Sequence, residues 1–173
     1  MRVMSIVILC LCSVFFVGCN SNMNEDVLRI HIRANSNSVY DQNVKLKVRD
    51  EVVDFITPLI ASCGDCKEVK KCLTNNLTGI ESVANQVLSE NGFNYKSNAK
   101  INNEYFPSRD YDGVTFPANY YDALIIELGS GAGDNWWCVA YPPLCFVGYE
   151  NGKNGNIQYK SKLVELINDF WGV

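Results

Sequence analysis

Eight cysteines and a single histidine carry most of the reactive chemistry in this 173-residue sequence. One His excludes two- and three-His metal sites and most His-rich catalytic centres. A cysteine nucleophile needs an imidazole within hydrogen-bond reach to become a thiolate. Cys138, His31 and Asn135 supply the types for such a site, and an exported chain with it would be a Cys/His-dependent hydrolase of the cell envelope. Against that, His31 stands between Arg29 and Arg33 in an alternating strand. Two neighbouring cations lower an imidazole's pKa and weaken it as a base. The three side chains together read as a positive ridge instead.

Cys63, Cys66 and Cys72 are spaced C-x2-C-x5-C, without the paired knuckles of a zinc site. Outside the cytoplasm disulfides are the better reading. Cys138 and Cys145 flank the bend Val-Ala-Tyr-Pro-Pro-Leu, which can bring their Cα atoms to the ~4.4–6.8 Å a disulfide needs. The pairing of the other three stays open. Gly129-x-Gly131-x-Gly133 resembles a phosphate loop only weakly. Asp134 replaces the third glycine of the dinucleotide fingerprint, and no helix follows to face an anion. A turn between strands accounts for it. No cofactor is implied.

The net charge of −4 argues against a broad basic surface for nucleic acid. Residues 1–18 read as a signal segment: Arg2, then an apolar run from Val3 to Val17, too short to cross a bilayer comfortably. Gly18-Cys19 followed by polar residues has the form of a bacterial lipoprotein signal, with Cys19 as the lipidated residue. Lipidation, plain cleavage and an uncleaved membrane anchor all remain open, and each exports the rest. Residues 19–26 are a polar tether and 27–173 a single domain.

Within that domain, Leu28, Ile30, Ile32 and Ala34 alternate with Arg29, His31 and Arg33, the period of a strand. A helix follows, capped by Asp41 or a nearby Ser and bent or ended by Pro58; a second runs over 67–90. Strands are expected around 93–101, 113–116, 121–128 and 136–141, and an amphipathic helix carries Leu163, Leu166, Ile167 and Phe170. The order predicts an α+β domain: a mostly antiparallel sheet of four to five strands, with two long helices and a C-terminal helix packed on it. In a strand Trp136 and Trp137 point to opposite faces, so an open face would offer an indole to a partner.

The blocks Leu28–Ser36, Asp41-Gln42, Val48-Arg49-Asp50 and Phe116-Pro117-Ala118, and above all Asn135-Trp136-Trp137-Cys138 with Pro142-Pro143-Leu144-Cys145-Phe146, resemble the stage II sporulation protein R family. The resemblance spans about residues 28–146, with Asn119 and Asp134 as departures. It implies a non-enzymatic signal of endospore formation, exported to the space between forespore and mother-cell membranes. There it would activate a membrane-embedded aspartic protease that processes the sigma-E precursor. Asn135, Trp136, Trp137, Tyr141, Pro142, Pro143 and Leu144, assisted by Arg29, His31 and Arg33, are the expected partner contacts.

Overall fold

The computed structural model describes residues 27–111 and 114–142. They form β1 (Leu28–Arg33), α1 (Val39–Ile60), α2 (Cys66–Asn75), α3 (Leu77–Glu90), β2 (Ser97–Phe106), β3 (Arg109–Tyr111), β4 (Val114–Phe116), β5 (Asn119–Leu128) and β6 (Asn135–Tyr141). The class is α+β. Four strands make one sheet in the order β2-β5-β1-β6, and β3 pairs with β4 as a separate hairpin.

The sheet is mixed, which corrects the mostly antiparallel expectation. β1 lies parallel to β5 and antiparallel to β6, while β2 and β5 are antiparallel. The three helices separate β1 from every later strand, so the chain can return beside β1 in either direction. Period-two alternation reports which face a side chain takes and is silent on strand direction. The expected C-terminal helix lies outside the described residues.

The expected helix over 67–90 is two helices divided at Asn76. The Asn76 amide donates to the Cys72 carbonyl at 2.8 Å, drawing off an acceptor of the helical ladder. Ser38 caps α1, its hydroxyl accepting from the Asp41 N–H at 3.1 Å. Asp41, the other cap candidate, is buried in the first turn and accepts from Ser36, Asn35 and the Tyr95 hydroxyl. Burial pushes the Asp41 carboxyl up, but these hydrogen bonds win and hold it below its ordinary value. Pro58 stands two residues before the end of α1.

Leu28, Ile30 and Ile32 pack with Leu124, Ile126 and Leu128 against Val44, Val48, Val52 and Ile56 of α1, Val69 and Leu73 of α2, and Ile80, Ala84 and Leu88 of α3. All three helices therefore lie on one sheet face. α3 also closes part of the β2 edge: Asn85 and Glu81 side chains accept the Ser97 and Ala99 N–H groups at 2.7 and 2.8 Å.

The glycine loop between β5 and β6 folds onto the β1–α1 turn. Gly129 has φ +58°, and the Gly133 N–H donates to the Ala34 carbonyl at 2.8 Å. A Cβ on Gly133 would lie 2.3 Å from the Ser36 carbonyl oxygen, so the spacing serves close backbone approach. Asp134 is tied to the same turn, its N–H donating to the Asn37 side chain at 2.6 Å and its carbonyl accepting from Lys45 at 2.8 Å. Gly133→Ala is expected to cost about 1–3 kcal/mol through this backbone collision; chemical denaturation against wild type measures it.

Candidate functional site

Among the described residues no helix covers the other sheet face, where Arg29, His31 and Arg33 of β1 and Trp137 and Val139 of β6 point. Register places His31 opposite Trp137 and Ile30 opposite Cys138. Cys138 therefore belongs to the helix-covered core while His31 lies on the opposite face. Cys138 is also disulfide-bonded, and Cys145, its expected partner, lies outside the described residues. The Cys138–His31 pair needed for a nucleophilic centre does not form.

One half of this face is an aromatic enclosure. Arg29 is fully buried, and its guanidinium lies 4.7 Å from the Phe106 ring centre, 5.1 Å from Tyr121, 5.3 Å from Phe116 and 5.6 Å from Tyr111. It donates to the Cys138 carbonyl at 3.1 Å and the Tyr111 hydroxyl at 3.0 Å, and its other terminal nitrogen has no hydrogen-bond partner among the described residues. Burial lowers its pKa from the ordinary value, partly offset by Tyr111 and Tyr121. The β3–β4 hairpin supplies Tyr111 and Phe116 as the lid of this enclosure.

His31 sits at the boundary. Its ring stacks on Trp137 at 4.8 Å and 19°, with Phe106 at 5.2 Å, and among the described residues neither ring nitrogen makes a hydrogen bond. Glu104 comes to 3.4 Å from Nε2 but is engaged by Arg33. Burial first, then the Arg33 cation, lowers the His31 pKa to about 3. At neutral pH this is an uncharged ring and a poor base.

The polar half is a ladder of charges across three strands. Arg33 bridges Glu104 and Glu127, and Lys100 joins Glu127 at 3.0 Å. Burial pushes the Glu127 carboxyl up, yet Lys100 and Arg33 hold it below its ordinary range. Trp137 is half-buried, with the Arg109 guanidinium 5.8 Å over its ring.

The expected positive ridge is thus corrected. Arg29 and His31 are both 0% exposed, because β1 is a central strand and a second apolar cluster covers that stretch. Only Arg33 reaches the surface, and it is paired. Trp136 faces the helices, with Arg49 of α1 5.6 Å over its ring, while Trp137 faces the open side as the alternation predicts. Asn135 and Tyr141 are half-buried and Pro142 is buried. Pro143, Leu144 and Cys19 lie outside the described residues. Sequence reading missed Lys100, Glu104, Phe106 and Glu127. The alternation of β2 around buried Ala99 places Lys100, Glu104 and Phe106 on one face, and that count would have found them.

The family model described as Stage II sporulation protein R matches residues 24–151. Stage II sporulation protein R of Bacillus subtilis (strain 168) is 34% identical over 129 residues, covering 75% of this chain and 58% of that relative. No solved structure matches.

The His31 environment sets a pH dependence. Above an unfolded pKa of about 6.5 neither state binds the proton. Below it the unfolded chain takes up a proton that folded His31 refuses until about pH 3. Stability therefore falls with pH in that window by up to about 1.4 kcal/mol per unit. His31→Phe, which keeps a ring against Trp137, is expected to lose about 2 kcal/mol less than wild type between pH 7 and pH 5. Urea denaturation at the two pH values compares them.

Proposed function

The chain belongs to the stage II sporulation protein R family, and we propose that it is an exported signal of endospore formation that activates a membrane-embedded aspartic protease processing the sigma-E precursor. Family membership over most of the chain is the observation that carries this reading. The geometry agrees with it in one respect: the lone imidazole and Cys138 occupy opposite faces of the sheet, which disfavours the envelope-hydrolase alternative. In this reading residues 1–18 direct export into the space between forespore and mother-cell membranes, and a lipid on Cys19 holds the signal at a membrane. Confinement raises its effective concentration near a membrane-embedded partner.

A ligand activates only by binding the active form of its receptor more tightly than the resting form. We assign that differential contact to the sheet face that carries no helix among the described residues, and to the segment from Asn135 toward Phe146. Trp137 is the anchor of choice, because its indole is held by His31 and Phe106 yet keeps an accessible part. Arg33, Glu104, Glu127 and Lys100 flank it as an orienting charge pattern.

Truncating an anchoring Trp costs about 2–4 kcal/mol of binding, a 30- to 1000-fold loss. Trp137→Ala is expected to block precursor processing in sporulating cells while the protein is still exported and folded, and Trp136→Ala to weaken it by loosening the packing of the strand that presents Trp137. Processing is read by immunoblot of the precursor, and folding by near-UV circular dichroism of the purified variants. Normal processing by both folded variants would reject this surface.

A further inference from the structure

The connection from α1 and the helix α2 that follows it carry three thiols, Cys63 in the connection and Cys66 and Cys72 in α2. Two of them converge. The Cys63 N–H bonds the Ile60 carbonyl at 3.0 Å, which leaves the Leu59 carbonyl at the end of α1 without its usual helical donor. The Cys63 Sγ lies 3.8 Å from that oxygen and the Cys72 Sγ 3.5 Å from it, one arriving from the connection and one from α2. Both are half-buried, within reach of a solvent-borne reagent.

Cys66 is placed differently. It is 8% exposed and belongs to the helix-covered core. Cys66 and Cys72 are both in α2, six residues apart, which at about 1.5 Å rise per residue puts their Cα atoms roughly 9 Å from one another. A disulfide spans at most about 7 Å between Cα atoms. Among the described residues no three His, Cys, Asp or Glu side chains converge as a metal-holding group, these three thiols included.

We propose that Cys63 and Cys72 close to a disulfide that pins the α1–α2 connection to α2. The assignment is independent of the signalling role. The reaction is exchange with a disulfide donor such as oxidised glutathione. The Asn76 amide donates toward the Cys72 Sγ at 3.9 Å. Burial and the adjacent Cys72 push the Cys63 thiol up, so Cys63 keeps its proton longer. The Cys72 thiolate attacks the donor, forming a mixed disulfide and releasing one glutathione thiolate. Cys63 then gives up its proton and attacks the Cys72 sulfur, releasing the second. One donor disulfide becomes two thiols for each Cys63–Cys72 bond made.

Trypsin separates the candidates. Cleavage after Arg49 and Lys67 leaves Cys63 and Cys66 on peptide 50–67, and cleavage after Lys71 and Lys96 leaves Cys72 on peptide 72–96. The full chain is equilibrated in a series of reduced and oxidised glutathione mixtures, alkylated, and digested without reduction. Peptide 50–67 linked to 72–96 is expected in wild type and in Cys66→Ser, and its loss is expected in Cys63→Ser. A link that survives in Cys63→Ser assigns the bond to Cys66 and overturns the proposal. So does complete alkylation of both Cys63 and Cys72 in folded wild-type protein at the most oxidising mixture.

Discussion

The open face of the sheet is organised around a cation buried without a counter-ion. Moving a guanidinium out of water costs several kcal/mol even after relaxation. Among the described residues no carboxylate pairs with Arg29; two hydrogen bonds and four aromatic faces take the place of one. A desolvated cation–π contact contributes about 2 kcal/mol or somewhat more, less than the cost of burial, so several rings act together. That requirement explains the short β3–β4 hairpin, too small to be stable alone. Tyr111 and Phe116 hold it down on Arg29, and Phe106 extends the same enclosure to His31 and Trp137.

The enclosure divides the two faces by purpose. The helix side is an apolar core in which Ile30, Ile32, Leu124 and Ile126 meet three helices, and its half-buried cation contact is Arg49 over Trp136. The other side carries every titratable group of β1, but in states unsuited to proton transfer. His31 is neutral and stacked, Arg29 is sealed in, and Arg33 is engaged by two carboxylates. A general base needs a pKa near the working pH and a free path to a proton. Neither condition is met here, so the face offers shape and charge.

Much of this was legible in the alternation of Leu28 to Ala34, which correctly separates the two faces of β1, and in the helical stripes of Val44, Val48, Val52 and Ile56. The opposite orientation of Trp136 and Trp137 follows from the same period. What escaped was tertiary. Arg29 and His31 look like surface residues because charge normally means exposure, and their cover comes from Phe106, Tyr111 and Phe116, about eighty residues away. The parallel pairing of β1 with β5 is set by the packing of three intervening helices, which no local pattern records. The break at Asn76 was visible in principle, since an Asn in a helical stripe competes for backbone partners.

For a molecule read as a signal, rigidity at the contact surface matters more than the number of contacts. Ordering a free, rotamer-rich side chain on binding costs about 0.5–1.5 kcal/mol. Trp137 has already lost that freedom, held between the His31 ring and the edge of Phe106 with Arg109 over it. The adjoining ladder is likewise fixed, because Arg33 cannot turn without abandoning both Glu104 and Glu127. A partner meets an indole and a set of charges in one arrangement, and preset charges govern orientation and encounter rate more than raw affinity. The buried Arg29 thus acts at a distance from any partner: by anchoring Phe106 and the hairpin it fixes the wall against which Trp137 is presented.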